Sequence, residues 1–192
     1  MKKRELVIGI LGFQGAFEKH REVVENLGYK VRIVRYLSEL DAVDALIIPG
    51  GESTTMTKIA GEMGYLSFLK GFDRPVFGTC AGAILLGRVL DDDRVESFGR
   101  VPVTLKRNAY GRQIDSFVDE VELSFDKKPF KGIFIRAPKI VEIGNGVEVL
   151  GRHNSDPVFV RYGKYMMTTF HPELTQDYRV HKYFIEEICF NQ

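Results

Sequence analysis

Cys80 stands at the centre of the segment Gly-Thr-Cys-Ala-Gly, residues 78–82, between a short apolar run and a helical pattern. Gly-x-Cys-x-Gly at a strand-to-helix turn is the thiol form of the nucleophile elbow, a turn so tight that its flanking residues must be small. Such a turn lifts the sulfur clear of the sheet, and the amides that start the following helix favour its thiolate. The same amides, that of Ala81 first, are candidate donors to an oxyanion. A buried structural cysteine is the alternative interpretation.

His171 and Glu173 form a second candidate group, because they flank Pro172 after the apolar run 166–170. Proline biases the residue before it towards extended backbone, in which side chains i and i+2 share a face. Glu173 could therefore hold the imidazole of His171 in one tautomer, and His171 could exchange a proton with Cys80. The alternative interpretation is a histidine at a strand end beside a solvated glutamate.

Residues 49–55, Pro-Gly-Gly-Glu-Ser-Thr-Thr, follow another apolar run and precede a helical pattern. Ser53 and Thr54 are both suitable N-caps. The paired glycines permit close approach of the backbone to a ligand, so the N–H of Gly51 is a candidate second oxyanion donor. The peptide between Gly50 and Gly51 could also rotate at low steric cost, and a partner could then switch activity by favouring one orientation. No Gly-Lys-Ser/Thr follows, which argues against a phosphate-binding P-loop.

The elements that must position these groups alternate along the first half of the chain. Short apolar runs predict strands at 7–11, 29–34, 45–48 and 75–77, and the other patterns predict helices at 17–27, 54–63, 65–72 and 81–90. The second half predicts strands at 101–105, 117–123, 132–135, 147–150, 158–162 and 166–170, then a helix at 179–190. Buried strands separated by helices indicate a parallel sheet covered on both faces. We therefore expect an α/β fold: a single three-layer domain over residues 1–192, with a central, mostly parallel sheet, helices on both faces and an antiparallel extension. Ligands of such sheets bind at the carboxyl ends of the parallel strands.

Composition restricts the class of protein. The chain has 192 residues, of which 44% are hydrophobic and 28% charged, and its net charge is +1. These values are ordinary for a globular protein and give no overall field for nucleic acid or an anionic membrane. Two cysteines without a CxxC spacing argue against a disulfide scaffold, and no His/Cys/Asp/Glu spacing is typical of a metal site. The apolar run at 6–11 is too short for a signal peptide or a membrane span, so we expect a cytoplasmic protein that binds neither nucleic acid nor membrane.

The three motifs and several longer blocks resemble class I, triad-type glutamine amidotransferases, and among them the glutaminase subunits of two-protein pyridoxal 5'-phosphate synthases. The matching blocks extend over most of the chain, at 9–15, 49–56, 77–82, 107–108, 111–117, 134–138 and 170–175. The resemblance implies a flavodoxin-like fold and hydrolysis of L-glutamine to L-glutamate and ammonia through a Cys80–His171–Glu173 triad and a γ-glutamyl thioester. By motif matching, it implies that glutamine contacts Gly51, Glu52, Ser53, Arg107, Ile135 and Arg136.

The same resemblance implies a partner, a synthase subunit that uses the ammonia to make pyridoxal 5'-phosphate and activates the glutaminase; no cofactor and no metal is expected. A guanidinium suits the α-carboxylate of a free amino acid, although a lone arginine is more often a surface cation. Gln14, in the loop after the first strand, either faces the partner or is an ordinary turn residue.

Three alternative functions stay open. A cysteine peptidase or hydrolase on the same sheet would turn over peptides or esters instead of glutamine. A non-catalytic binding or regulatory module is disfavoured by the intact Cys80, His171 and Glu173, since such modules usually lose one of these groups. A glutaminase that serves a different ammonia-using synthase would have the same catalytic and glutamine-binding motifs, so these residues alone do not identify the synthase.

The remaining ionisable and thiol groups are expected to have structural roles. His20 and His181 lie in helical segments rich in charge, which favours solvated faces, and His153 is expected in a turn. Residues 91–94, Asp-Asp-Asp-Arg, are expected at a solvated helix end. Cys189 lies on the apolar face of the last helix and is expected in the core.

Overall fold

The apolar runs of the first half form the central strands of the computed structural model, which describes residues 5–12, 14–90, 92–107 and 116–190. Residues 108–115, the larger part of the 107–117 block, lie outside the described residues, as do Phe13 and Asp91 of the segments considered above. Within the described part of the chain, no helix combines the length and the hydropathy that crossing a bilayer requires.

The strands, numbered in chain order, are β1 Val7–Leu11, β2 Lys30–Val34, β3 Ala45–Ile48, β4 Val76–Thr79, β5 Arg88–Val89, β6 Val103–Lys106, β7 Ser116–Leu123, β8 Asp126–Ile135, β9 Lys139–Ile143, β10 Glu148–His153, β11 Asp156–Tyr162 and β12 Tyr165–Thr168. The α-helices are α1 Phe17–Asn26, α2 Ser53–Glu62, α3 Tyr65–Gly71, α4 Ala81–Leu86 and α5 Arg179–Tyr183. Short 3-10 helices cover Leu37–Ala42 and Pro172–Leu174, and a π-helical segment, Phe184–Cys189, continues α5.

The described strands form two sheets. The larger has the order β2-β1-β3-β4-β12-β11-β10-β7-β8, and β5, β6 and β9 form a smaller one. The first five strands of the larger sheet run parallel, and the sheet continues antiparallel from β11 to β8. The predicted fold class, an α/β domain whose parallel core carries an antiparallel extension, is confirmed.

Side chains that alternate along the central strands supply two cores, one on each face of the sheet. In β3, Leu46 and Ile48 belong to the core that contains buried residues of α2, α3 and α4. Ala45 and Ile47 point the other way, into the core that contains buried residues of α1, α5 and the π-helical segment. Both faces of β3 are therefore covered, which is why its sequence is a continuous apolar run.

Several elements differ from the sequence prediction. The predicted helix 81–90 is too long, because α4 ends at Leu86 and Gly87 approaches β6 so closely that an added Cβ would lie 2.3 Å from Leu105 Cδ1. The predicted strand 166–170 ends at Thr168. β9 was not predicted, since Ile140 is its one buried residue and the alternation is weak.

The topology gathers the motifs at one edge of the sheet. β3 ends at Ile48, just before the Gly50–Gly51 loop, and β4 ends at Thr79, just before Cys80. β12 runs parallel to β4 and ends three residues before His171. The carboxyl ends of adjacent parallel strands therefore bring segments that are far apart in sequence to the same place.

Candidate active site

The turn at Cys80 has the strained geometry that the elbow pattern predicts. Cys80 has φ +49° and ψ −102°, a conformation that residues with a Cβ rarely adopt. An added Cβ at Gly78 would lie 2.5 Å from the Gly82 carbonyl oxygen, and one at Gly82 would lie 2.1 Å from that of Ile48. Both flanking positions therefore require glycine. The N–H of Cys80 donates to the Thr168 carbonyl oxygen at 2.8 Å, which ties the turn to β12.

The imidazole of His171 lies between a sulfur and a carboxylate. Its Nδ1 is 2.7 Å from Glu173 Oε1, and the ring lies beside Cys80. The Cys80 Sγ additionally lies 3.7 Å from the carbonyl oxygen of Ile135. Glu173 reaches the ring from the 3-10 helix Pro172–Leu174, which corrects the prediction of an extended segment. The predicted proximity of the three side chains is nevertheless present in the structure.

Burial and hydrogen bonding have opposite effects on the pKa values of His171 and Glu173. Burial favours the neutral ring of His171, but the hydrogen bonds and charges of Cys80 and Glu173 outweigh it and raise its pKa to about 10. Burial likewise favours the neutral acid of Glu173, but His20 and the hydrogen bond to His171 lower its pKa to about 2. Near neutral pH the carboxylate is therefore ionised and the imidazole protonated.

The Gly50–Gly51 loop packs directly against this group. A Cβ added to Gly50 would lie 2.4 Å from Cε1 of His171 and 3.3 Å from Cβ of Cys80. At Gly51 an added Cβ would lie 3.4 Å from Oε1 of Gln14, whose side-chain oxygen is buried without a hydrogen-bond partner among the described residues. Gly50 therefore leaves the space that the imidazole occupies.

Glu52 begins α2 and corrects the predicted cap. Its carboxylate accepts from the backbone N–H groups of Thr54 at 3.1 Å and Thr55 at 2.7 Å, so Glu52 is the N-cap rather than Ser53 or Thr54. Burial opposes ionisation of Glu52, but hydrogen bonds from Thr54 and Thr55 lower its pKa to about 2. Arg107 Nη2 lies 3.5 Å from Glu52 Oε1, which places a cation and an anion side by side.

A cleft of about 470 Å³ opens in front of the sulfur and brings most of the predicted site residues together. Its lining includes Gly51, Glu52, Ser53, Cys80, Ala81, Arg107, Ile135, Arg136 and His171. Glu173 lies behind the ring of His171, with 3% of its surface exposed. The catalytic and substrate-binding roles of these residues stay predictions.

Asp92 and His153 are not where the sequence predicts them. Asp92 follows β5 rather than a helix, and its carboxylate forms ion pairs with Arg107 and Arg94. His153 lies in β10 rather than in a turn, and its Nε2 is 2.9 Å from Oδ2 of Asp119. Asp92 is thus a polar residue of the site that was missed, because only the three-dimensional fold places it beside Arg107. Cys189 is buried in the core, as predicted.

The prediction of solvated faces for His20 and His181 is wrong, because both side chains are fully buried. His20 Nδ1 lies 2.8 Å from His181 Nε2, and His20 Nε2 lies 3.2 Å from Thr79 Oγ1 and 3.5 Å from Glu173 Oε2. The two histidines therefore stand directly behind the Glu173 carboxylate.

A helical spacing signal for both histidines was present in the sequence. His20 shares the buried face of α1 with Val23 and Val24, at i+3 and i+4. His181 precedes the buried Phe184 and Ile185 by the same spacing. The charged neighbours concealed this pattern, since they occupy the other faces of the helices.

Comparisons with known proteins give a consistent family. The model of the SNO glutamine amidotransferase family matches residues 10–190. A protein of Thermotoga neapolitana named pyridoxal 5'-phosphate synthase subunit PdxT is 49% identical over 185 residues, which cover 94% of this chain and 98% of that protein. A protein of Thermosipho africanus with the same name is 46% identical over 186 residues and has the same coverage, 94% and 98%. A crystal structure of a glutamine amidotransferase has a TM-score of 0.88 and 42% identity, covering 93% of this chain and 97% of that one.

Proposed function

This chain belongs to the SNO glutamine amidotransferase family, and we propose that it hydrolyses L-glutamine to L-glutamate and ammonia with Cys80 as the nucleophile. The observation that carries the proposal is the position of Cys80 on a strained turn, beside a His171 ring that Glu173 holds at 2.7 Å. An activated thiol needs both an adjacent proton carrier and a group that orients it. The proposal takes residues 1–192 as one glutamine amidotransferase domain.

In the proposed reaction the Cys80 sulfur attacks the side-chain carbonyl carbon of glutamine, and the C=O electron pair moves onto the oxygen. The N–H groups of Gly51 and Ala81 hold that oxyanion. His171 then gives its proton to the amide nitrogen, the C–N bond breaks, and ammonia leaves a γ-glutamyl thioester on Cys80. Water then attacks the thioester carbonyl carbon, and His171 takes a proton from the water. The C–S bond breaks, which releases glutamate and restores the Cys80 thiolate.

The charges around the cleft suit a free amino acid. Glutamine carries an α-ammonium and an α-carboxylate, and Glu52 and Arg107 line the cleft with opposite charges. In the proposed complex the guanidinium binds the α-carboxylate and Glu52 faces the α-ammonium. Ser53, Ile135 and Arg136 line the same cleft and complete the glutamine site.

The relatives in Thermotoga and Thermosipho are named as subunits of pyridoxal 5'-phosphate synthase, and the same assignment is proposed for this chain. The chain is then the glutaminase subunit, and its ammonia passes to a synthase subunit that makes pyridoxal 5'-phosphate. The proposal places it in the cytoplasm, where a reducing environment keeps a catalytic thiol such as Cys80 free.

The test is ammonia release from glutamine by the purified chain, alone and titrated with the synthase subunit at saturating glutamine. We expect turnover in the complex and little without the partner, because rotation of the Gly50–Gly51 peptide would make Gly51 N–H available only in one orientation. Equal turnover with and without the partner would contradict the switch but not the chemistry. Turnover of peptides or esters without turnover of glutamine would instead indicate a cysteine hydrolase.

A further inference from the structure

The Glu173 carboxylate has a second, buried neighbour on the side away from the cleft. One oxygen, Oε1, is hydrogen-bonded to His171, and the other, Oε2, has no hydrogen-bond partner among the described residues. Nε2 of His20 lies 3.5 Å from Oε2, and both side chains are completely shielded from solvent. His20 is therefore a buried polar group that faces the second oxygen.

Burial favours the neutral form of both histidines behind the carboxylate. Burial lowers the pKa of His20, although the charge of Glu173 acts the other way. Burial also lowers the pKa of His181 to about 3, and its proximity to His20 adds to the effect. In its neutral form each ring carries one N–H and one lone pair.

The contacts select one arrangement of these protons. If His20 Nδ1 carried the proton, the lone pair of His20 Nε2 would face the negative Oε2 of Glu173. If His181 Nε2 donates to His20 Nδ1 over 2.8 Å, the proton of His20 lies on Nε2 instead. That N–H then donates to Thr79 Oγ1 at 3.2 Å and presents its positive end to Glu173. The second arrangement replaces a repulsion in a buried, low-dielectric place by an attraction, so it is the stable one.

We propose that His20, fixed in this tautomer by His181, is a positioning residue for the candidate triad. Its Nε2–H stabilises the Glu173 carboxylate in the orientation in which Oε1 holds the ring of His171 beside Cys80. The inference rests on the proposed function and extends it by two residues. It also accounts for a polar pair that would otherwise be costly inside an apolar core.

The experiment compares three variants of position 20 in the complex with the synthase subunit. His20→Leu removes both ring nitrogens, His20→Gln places an amide N–H near the position of Nε2, and His20→Asn places its amide near that of Nδ1. We expect kcat for glutamine hydrolysis to fall about 10- to 100-fold in the Leu and Asn variants, because the attraction between Nε2–H and the buried carboxylate is lost. The Gln variant should recover most of this loss, and KM should stay within about twofold throughout.

The matched control is His153→Asn, which removes a mostly buried histidine that is also paired with a carboxylate but lies in β10. It should leave kcat unchanged, and the thermal midpoint of each variant is measured beside its kcat. A merely structural role predicts that kcat follows the thermal midpoint and that Gln does not rescue. If the Leu variant does not fold, the contrast between Gln and Asn decides.

Glutamine hydrolysis by the wild-type complex distinguishes failure of the proposed function from failure of the proposed role of His20. If it does not hydrolyse glutamine, the proposed function fails and the role of His20 fails with it. If it does, a Leu variant with wild-type kcat, or a Gln variant no better than Asn, contradicts the role of His20 alone.

Discussion

Among the described residues, two histidine–carboxylate pairs have nearly the same length, and one lies in each half of the large sheet. His171 and Glu173 are 2.7 Å apart at the carboxyl edge of the parallel strands, and His153 and Asp119 are 2.9 Å apart between the antiparallel strands β10 and β7. Glu173 is fully buried, whereas 56% of the Asp119 side chain is exposed. The hydrogen bond itself therefore does not distinguish the two.

The two pairs differ both in what lies in front of the histidine and in what lies behind the carboxylate. A sulfur on a strained turn stands in front of His171, and a second buried histidine stands behind Glu173. His153 instead packs against the rings of Phe117 and Phe134. A histidine–carboxylate pair is thus a structural link in one half of the sheet and a candidate catalytic group in the other.

Removing the sulfur should have the largest effect. We expect Cys80→Ala to reduce glutamine hydrolysis by about 10³-fold or more, because a covalent nucleophile is lost. Cys189→Ala is the matched control, since burial raises the pKa of that thiol to about 12 and keeps it unreactive. An electrophilic glutamine analogue followed by mass spectrometry should label Cys80; label on Cys189 with Cys80 untouched would overturn the assignment.

Substitution of the histidine in each pair should have the second largest effect and should lower kcat in only one of the two pairs. His171→Ala is expected to lower kcat by about 10² or more, the contribution of a positioned proton carrier, while His153→Ala should leave kcat within about twofold. The double variant His171→Ala with Glu173→Ala should cost little more than His171→Ala, because the members of one unit are not additive. Losses that simply multiply in the double variant would show that Glu173 does not act through His171.

Crowding the ring of His171 should give a smaller loss. In Gly50→Ala the new Cβ would lie 2.4 Å from Cε1 of the imidazole, so the ring or the loop must shift. We expect kcat to fall about 10- to 100-fold, as overpacking of this severity suggests. Gly71→Ala is the control, because a Cβ there meets nothing within 4 Å. Steady-state kinetics of both variants checks the prediction, which fails if they lose kcat equally.

Acid stability should show the smallest difference between the pairs. His20 and His171 overcome the effect of burial and lower the pKa of Glu173 from 4.5 to about 2, so the stability this group contributes is present above pH 4.5 and is lost as the pH falls towards 2. The thermal midpoint of wild type minus that of Glu173→Gln should therefore shrink by a few degrees between about pH 6 and about pH 3.

The exposed pair supplies the comparison for this titration. The hydrogen bond from His153 lowers the pKa of Asp119 too, but solvent screens that interaction. The difference between wild type and Asp119→Asn should therefore change less over the same pH range. A larger change for Asp119→Asn, measured by thermal unfolding at each pH, would reverse the ranking of the two pairs.

The front of the site could be predicted because local constraints dictate its sequence. The turn at Cys80 leaves no space for a Cβ at Gly78 or Gly82, and the loop before α2 leaves none at Gly50. Such positions appear as glycines at fixed offsets in any single sequence. The strands that carry them could also be predicted from the sequence, because burial on both faces makes them continuous apolar runs.

The rear of the site and part of the sheet could not be predicted in this way. Nothing within Tyr165–Thr168 indicates that β12 pairs with β4 on one side and β11 on the other. Asp92 meets Arg107, and His20 meets His181, only after the sheet has assembled. Contacts between residues so distant in sequence depend on the whole fold rather than on a local pattern.

The position of β12 beside β4 determines when, during synthesis, the parts of the site can come together. A ribosome delivers the N-terminal part of a chain first. The strands that present the thiol are therefore made well before Tyr165–Thr168 can close the edge of β4, and His171 follows later still. In the proposed mechanism the sulfur lacks its proton carrier during synthesis, so the incomplete chain should not hydrolyse glutamine. Activity is then expected only after nearly all of the polypeptide has been made and β12 has paired with β4.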